Sequence, residues 1–316
     1  MFRLLQAFYS TPWALEPSMY ALMEGVLLRW ASGVRLNAQE IESAIGASAL
    51  APQAAAARRE ATAAAGAGMV GVIPIYGILT HRAYAAKDVS NPLTSTEAVS
   101  SVFRSYVSNP DIGSIVLDMD TPGGSVFGVQ ELAETIRGAR GTKPIIAVAN
   151  SQANSGGYWI ASQADEVVVT PSGAVGSIGV LMSHSDRSAM YEKMGVKTEV
   201  IHSGKFKGEG GDHAPLTDET RMYLQGLSDT YYSAFTSAVA KGRGLPIDTV
   251  RGEAFGQGRV RLARDAVQAG MADRIDTLEN VINSLACTSK RSGGGMAAAT
   301  AALQIAVIEA SVPNIN

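Results

Sequence analysis

Ser155 lies between an apolar run and a helical pattern, a position in which a serine hydroxyl could act on a substrate. Residues 144–149 form a compact apolar run typical of a buried strand, and a helical pattern follows Gly156 and Gly157. At such a junction the hydroxyl is near the positive end of the helix dipole, and the glycines let a substrate carbonyl approach backbone N–H groups. Ser155 is therefore a candidate nucleophile, although Ser-Gly-Gly is also typical of an ordinary turn.

A second glycine turn follows the preceding predicted strand. Residues 114–119 read as a strand that ends in Thr-Pro-Gly-Gly at residues 121–124, before another helical pattern. Because loops at the carboxyl ends of neighbouring parallel strands converge, we expect the glycine pair at residues 123–124 to lie beside Ser155 and Gly156. Acyl transfer needs two N–H donors that face the developing oxyanion, and such turns can supply them. The alternative is that the glycine turns have only a structural role.

A serine nucleophile also needs a base. The chain lacks a Gly-x-Ser-x-Gly elbow, so a Ser-His-Asp triad is possible but has no support in the sequence. The spacing of the four histidines is also not that of metal ligands (His81, His184, His202, His213). Lysine can serve instead when burial or neighbouring donors keep part of it neutral. Residues 203–208 offer two candidates, Lys205 and Lys207.

The elements that must position these residues alternate between strand and helix. Residues 69–79 read as a strand with Pro74 at an edge or bulge position, and residues 96–107 read as a helix. The later segments comprise a strand at 166–170, a strand at 177–182, a helix at 185–194 and a strand at 197–201. This alternation predicts an α/β fold with parallel strands and βαβ crossovers. From Thr217 to about residue 286 the patterns are helical, beginning with a long amphipathic helix.

Composition divides the chain into four parts. We predict a small N-terminal helical arm at residues 1–50, including a short helix capped by Asn37, and an Ala-rich linker at residues 51–68. The main domain then covers residues 69–286, and a flexible C-terminal tail covers residues 287–316.

Charge and hydropathy exclude several classes of protein. The net charge of −3, with 26 basic and 29 acidic residues, gives no footprint for nucleic acid. The single cysteine, Cys287, cannot form an internal disulfide. The apolar stretch at residues 19–30 is interrupted by Glu24 and Arg29, so we expect no membrane anchor and a cytoplasmic, non-exported chain.

Four segments, in order and suitably spaced, resemble the signature blocks of the signal peptide peptidase A family of serine-lysine peptidases, peptidase family S49. The resemblance is strongest to its tailed-phage capsid assembly proteases and covers about residues 69–280. The four blocks are residues 117–124 (LDMDTPGG), 153–157 (ANSGG), 176–180 (GSIGV) and 203–207 (SGKFK).

The resemblance implies a role for particular residues. Ser155 matches the nucleophile, and Lys207, rather than Lys205, matches the general base in a Ser-Gly-x-x-Lys pattern. Ser177 matches a serine beside the lysine, whose hydroxyl would hold the neutral amine in position. Gly124 and Gly156 would supply the oxyanion hole, with support from Gly123.

The resemblance also implies a crotonase-like fold, as in Clp protease, and a reaction that needs no metal or cofactor. Cellular members usually carry a membrane anchor, so its expected absence favours the phage branch. The expected partners are capsid, scaffold or portal proteins within the host cytoplasm or procapsid, and we expect a homo-oligomer. The alternatives are a bacterial-type signal peptide peptidase, a non-catalytic procapsid component and a coenzyme A thioester enzyme on the same fold.

Overall fold

The computed structural model describes Leu5 and residues 8–31, 69–82 and 93–292. The strands are β1 (Trp13–Leu15), β2 (Met69–Tyr76), β3 (Leu79–Thr80), β4 (Thr94–Ser95), β5 (Ile112–Thr121), β6 (Gly123–Ser125), β7 (Ile145–Asn154), β8 (Glu166–Val169), β9 (Ala174–Gly176), β10 (Val260–Leu262) and β11 (Arg274–Ile275). The helices are α1 (Pro17–Ala31), α2 (Thr96–Ser108), α3 (Val129–Gly138), α4 (Gly156–Ala161), α5 (Ser188–Lys193), α6 (Asp218–Arg243), α7 (Ile247–Arg251), α8 (Ala263–Gln268) and α9 (Leu278–Ser292), with a 3₁₀ turn at Glu253–Phe255.

A mostly parallel sheet forms the centre of the fold. Its path through the described residues is β10-β9-β7-β5-β2, with β8 and β11 on a side branch. The branch arises because residues 146–149 of β7 pair with β8, whereas residues 152–154 pair with β9. The sheet therefore forks at the carboxyl end of β7, and Ser155 follows directly at the fork.

Helices cover both faces of this sheet, which explains why its strands read as continuous apolar runs. The larger core includes buried residues of α2, α3, α4 and α6. A smaller cluster on the strands, with Val116 and Ile146 among its members, packs against Val281 of α9. Parallel neighbours are joined by helical crossovers, from β2 through α2 to β5 and from β5 through α3 to β7. The α/β class with parallel strands and βαβ crossovers is confirmed.

A second, four-stranded sheet in the described residues has the order β1-β6-β3-β4. Its strands are only two or three residues long. Strand β6 is the Gly-Gly turn that follows β5, and β1 from the N-terminal arm pairs with it in the antiparallel sense. This small sheet brings the N-terminal arm to the carboxyl end of the central sheet.

The long helix α6 begins at the predicted position, and residues typical of helix ends lie at both of its termini. Thr217 caps it by accepting a hydrogen bond from the Thr220 amide (3.1 Å), and Asp218 and Glu219 complement the dipole in the first turn. Gly244 ends it in the left-handed conformation, with φ of 65°. Pro74 also lies as predicted, because among the described strands β2 is at the edge of the sheet and pairs with β5 alone.

Several predicted elements differ from the observed ones. Residues 197–201 form no strand, because an alternating pattern needs a free sheet edge and no described strand pairs with them. The strand predicted at 177–182 is reduced to a single bridge at Leu181, and the helix predicted at 185–194 to α5. The region predicted to be helical contains β10 and β11, which are too short to give a recognisable period.

Some expectations fall outside the described residues. These are the helix at Asn37, the linker at 51–68 and most of the tail at 287–316. Within the described part of the N-terminal arm, α1 is accompanied by the strand β1, which the sequence patterns did not predict. In the described part of the chain, no helix is both long enough and apolar enough to cross a membrane.

Candidate active site

Ser155 occupies the single residue between β7 and α4, in a backbone conformation that is rare for serine. Its φ is 51° and its ψ is −118°, in the half of conformational space that side chains other than glycine usually avoid. Its amide donates to the Gly176 carbonyl (2.6 Å), and its carbonyl accepts from the Trp159 amide (2.9 Å). Strain of this kind persists only where the surroundings impose it, and it is concentrated at functional sites.

The helix behind Ser155 supplies those surroundings, because every residue of α4 is buried. Trp159 stacks on Phe235 of α6, with 4.6 Å between ring centroids and 7° between planes. The hydroxyl of Tyr158 donates to the Met271 carbonyl (2.8 Å), and burial raises the pKa of this phenol, so it stays a protonated donor. The first turn of α4 is thus fixed to the core, and it holds Ser155 in place.

The hydroxyl of Ser155 itself has no hydrogen-bond partner among the described residues. Its Oγ is buried, and the residue as a whole is only 1% exposed. Leaving a buried polar group unpaired costs about 1–3 kcal/mol, so such groups are uncommon in folded proteins. The Ser155 hydroxyl is therefore available to interact with a bound substrate.

The predicted glycine turns do converge beside Ser155. Gly123 has φ of 98°, and a Cβ added there would lie 2.9 Å from both the Gly156 nitrogen and the Ser155 Cβ. A Cβ on Gly156 would lie 3.6 Å from the Gly124 nitrogen. Backbone amides of the two turns therefore share one small space with the serine. The turn is fixed by Thr121, whose hydroxyl accepts from the Gly123 amide (3.1 Å).

Ser177 also lies next to the nucleophile candidate. It follows Gly176, whose carbonyl accepts the Ser155 amide, and it shares the unusual backbone of Ser155, with φ of 53°. Ser177 is buried, and its own amide donates to the Arg259 carbonyl (3.0 Å). Two strained serines therefore meet at the fork of the central sheet.

Lys207 is the one predicted residue that the structure does not bring to Ser155. It is exposed in a turn, where its amide donates to the Gly204 carbonyl (3.1 Å). Its side chain lines a cavity of about 550 Å³ together with Ser183, His184 and Tyr9 of the N-terminal arm. Because the Ser155 Oγ has no partner, no hydrogen bond joins the two residues in this conformation. The Ser-Lys dyad remains a prediction.

A half-buried carboxyl links the strands that lead to the site. Asp120, near the end of β5, has its pKa raised by burial, and hydrogen bonds to Gln152 and Ser151 near the end of β7 oppose that rise. These contacts join the two strands one residue before Thr121 and three to four residues before Ser155. Asp120 thus helps to hold the two strands together, and it was not among the residues predicted from the sequence.

The sequence patterns also did not predict β1, which crosses the site. Ala14 pairs with Gly124, and its carbonyl oxygen lies 3.2 Å from the position of a Cβ on Gly156. One signal was available, because Pro12 and Pro17 bracket this segment and a residue before proline favours extended backbone.

Among the described residues, no cluster of histidine, cysteine, aspartate and glutamate could hold a metal ion.

Comparison with known proteins finds a matching family and several relatives of this chain. The family model described as peptidase family S49 matches residues 138–303, which include Ser155 and Lys207. Capsid assembly protease C of Escherichia phage lambda is 34% identical over 232 residues, 72% of this chain and 52% of that protein. Head-tail preconnector protein GP5 of Enterobacteria phage P21 is 30% identical over 234 residues, 73% of this chain and 46% of that protein.

A cellular protein is similar over a shorter region. The putative signal peptide peptidase SppA of Enterococcus faecium is 30% identical over 176 residues, 55% of this chain and 50% of that protein. The chain thus spans about half the length of the curated relatives it matches.

Proposed function

Because the chain belongs to peptidase family S49, whose model matches more than half of it, we propose that it is a serine endopeptidase with Ser155 as nucleophile and Lys207 as general base. In this proposal Gly124 and Gly156 form the oxyanion hole. Gly123 supports the turn that carries the first donor, and Ser177 orients the lysine.

The observation that carries the proposal is the unpaired, buried hydroxyl of Ser155 on a strained strand-to-helix junction, beside two glycine turns. A structural serine in this position would gain stability by pairing its hydroxyl, and a relaxed backbone would remove the strain. A nucleophile needs the opposite, because its hydroxyl must be free to meet a carbonyl carbon and a base.

The reaction begins with acylation. Lys207 takes the Ser155 proton as Oγ adds to the carbonyl carbon of the scissile peptide bond. The N–H groups of Gly124 and Gly156 stabilise the negative oxygen of the tetrahedral intermediate. The C–N bond then breaks, and the protonated lysine gives its proton to the leaving amine.

Deacylation repeats these roles with water. Lys207 takes a proton from a water molecule, whose oxygen adds to the ester carbonyl, and the same two N–H groups stabilise the second oxyanion. The ester C–O bond breaks, the proton returns to the Ser155 oxygen, and the peptide leaves with a new carboxylate.

The lysine must approach Ser155 for this chemistry, and two observations favour Lys207 over Lys205. Lys205 is already engaged in an ion pair with Glu219 (3.0 Å). Lys207 instead lines the cavity that residues 182–185 share, a few residues after Ser177. A rearrangement of this exposed segment is therefore part of the proposed route to the active state.

The names of the phage relatives suggest the biological role. We infer that the chain is a phage or prophage head maturation protease that processes capsid, scaffold or portal proteins. The similarity to a putative signal peptide peptidase supports a second candidate, the cleavage of signal peptides. The two candidates differ in substrate, which is a head protein in the first case and a signal peptide in the second.

The test is to co-express the chain with candidate capsid, scaffold and portal proteins, and separately with a signal peptide, and to identify fragments by mass spectrometry. Cleavage of head proteins by the wild type and its loss in Ser155→Ala are expected. Because the substitution removes an unpaired hydroxyl, the melting temperature of Ser155→Ala should equal or exceed that of the wild type.

Ser105→Ala provides the control, since this serine is exposed on α2. It should cleave like the wild type. Cleavage at the wild-type rate by a correctly folded Ser155→Ala would contradict the proposal, and cleavage confined to the signal peptide would replace the head-maturation role with the second candidate.

A further inference from the structure

The N-terminal arm places an extended segment directly over Ser155. Strand β1 lies between two other segments, pairing with β6 on one side and with Leu181 on the other. Trp13 exchanges both backbone hydrogen bonds with Leu181, at 3.0 and 2.9 Å. A protease holds its substrate as an extended strand in this manner, so β1 has the binding mode of a bound peptide.

The register of β1 puts one particular carbonyl at the oxyanion site. Ala14 is opposite Gly124, and two residues further on the Glu16 amide donates to the Pro122 carbonyl (2.9 Å). Hydrogen-bonded pairs recur at every second residue of an antiparallel ladder, so the Ala14 carbonyl faces the Gly124 amide.

The second proposed donor is at the same place. The Ala14 carbonyl oxygen would lie 2.2 Å from a Cβ on Gly123 and 3.2 Å from one on Gly156. The Gly123 Cβ position is also 2.9 Å from the Gly156 nitrogen and from the Ser155 Cβ. The carbonyl of Ala14 is therefore next to the serine and both glycine turns, and the Ala14 side chain is fully buried.

We propose that residues 12–16 are an intramolecular pseudosubstrate, which occupies the peptide groove of Ser155 and keeps the chain latent until the arm leaves. This inference rests on the proposed function. Its direct consequence is the burial of Ser155, which is 1% exposed and closed to any other peptide while β1 is in place.

The arm also holds the segment that leads towards Lys207. Phe8, Leu15 and Tyr20 form a cluster against Leu181, and the Tyr20 hydroxyl is hydrogen-bonded to Ser183. The Arg187 guanidinium lies over the ring of Tyr9, 5.7 Å from its centroid. Burial raises the pKa of Tyr20 to about 12, so this hydrogen bond persists throughout the physiological range.

The bound strand is consistent with an uncut pseudosubstrate because the catalytic groups are not assembled around it. The Ser155 Oγ has no hydrogen-bond partner in the described part of the chain, and Lys207 shares its cavity with Tyr9 and Ser10 of the arm. Departure of the arm would open the groove and release residues 181–187 together. One displacement would thus provide both access for a substrate and freedom for Lys207 to move.

A reversible crosslink tests this directly in the full chain. Trp13→Cys and Leu181→Cys, with Cys287→Ser to remove the native thiol, place two cysteines at a hydrogen-bonded antiparallel pair. The Cα atoms of such a pair are about 5.5 Å apart, which a disulfide can span. The readout is the rate at which a fluorophosphonate probe labels Ser155, since this small reagent reports access to the nucleophile without a known substrate.

We expect the oxidised protein to label slowly and the reduced protein to label faster. If the arm leaves the groove about a tenth of the time, locking or releasing it changes the rate by roughly tenfold or more. Fluorescein-labelled casein, an unstructured protein, is the second readout and should follow the same order. Ser155→Ala should remain unlabelled under all conditions.

A second variant removes the arm without a crosslink. Ala14→Asp puts a charge at a fully buried position of β1 and should expel the strand, which raises the labelling rate above that of the wild type. Ala21→Asp is the matched control, because Ala21 is exposed on α1 and the change should leave the rate unchanged.

The outcomes separate the two levels of inference. Equal rates in the oxidised, reduced and Ala14→Asp proteins, with labelling still dependent on Ser155, would overturn the pseudosubstrate and leave the peptidase standing. A wild-type chain cut between Ala14 and Leu15 would also overturn it, by making the strand a substrate. If no protein labels or cleaves casein, including the reduced and Ala14→Asp proteins, the proposed function itself is wrong.

Discussion

At the scale of single residues, two lysines only two positions apart have different surroundings. Lys205 pairs with Glu219 at 3.0 Å, and its ammonium lies over the ring of Phe206. Both members of the ion pair are largely exposed, so the pair adds little to stability. Lys207 makes no ion pair with the described residues and lines a cavity instead.

We predict that Lys207→Ala loses activity as completely as Ser155→Ala, whereas Lys205→Ala keeps most of it. The physical reason is that a nucleophile and its base act as one unit, so removing either one removes the reaction. Rates of head-protein cleavage should be measured for the single variants and for the double variant Ser155→Ala/Lys207→Ala. A double variant no worse than either single variant supports the unit, and a wild-type rate in Lys207→Ala contradicts the assignment.

The sequence predicted most of what is local about this site. A serine after an apolar run and glycines after a neighbouring strand were enough to predict that Ser155, Gly124 and Gly156 lie together. The positive φ of Ser155 was not predictable, because it results from contacts made by α4 and by Gly176 far along the chain. The position of Lys207 was not predictable either, since its segment has little regular structure to fix it.

At the scale of elements, the packing of α6 on α4 positions the nucleophile. Gly242 of α6 touches the end of α4 so closely that a Cβ there would lie 2.1 Å from the Ser162 carbonyl oxygen. Gly226 lies on the same helix with nothing within 4 Å of its Cβ position. Alanine substitutions at these two glycines therefore separate the effect of the packing contact on stability from the effect of helix propensity.

We predict that Gly242→Ala destabilises the protein by about 1–3 kcal/mol, because the new methyl group forces the closely packed ends of α6 and α4 apart. Gly226→Ala should instead stabilise it by about 0.5–1 kcal/mol, since alanine restricts the unfolded chain and favours helix. Urea unfolding of both variants and the wild type gives the free energies. A loss of equal size at both positions would contradict the packing contact as the cause.

The length of a strand decides how well the sequence predicts it. Strands β2, β5 and β7 were predictable because each is a long apolar run covered on both faces. Strands β1, β10 and β11 are two or three residues long and exist only through partners distant in sequence. Residues 197–201 show the converse case, a strand-like pattern that finds no partner among the described residues.

At the scale of the whole molecule, several large apolar side chains face solvent. On α6, Met222 and Tyr223 are 68% and 56% exposed, and in the irregular segment before it Met194 and Ile201 are 64% and 92% exposed. Single exposed apolar residues are ordinary, whereas several on adjacent parts of the chain are typical of an interaction surface.

We therefore predict a homo-oligomer in which these side chains are buried between copies of the chain. Burying one Ile or Met side chain contributes about 1.5–3 kcal/mol, so Ile201→Asp or Met222→Asp should weaken association by roughly 10- to 100-fold. Thr230→Glu, at an exposed polar position of the same helix α6, is the control and should leave assembly unchanged. Light scattering across micromolar concentrations should give a wild-type mass of at least twice the chain mass, falling in the two apolar variants alone. A wild type that stays at one chain mass throughout that range would contradict the assembly.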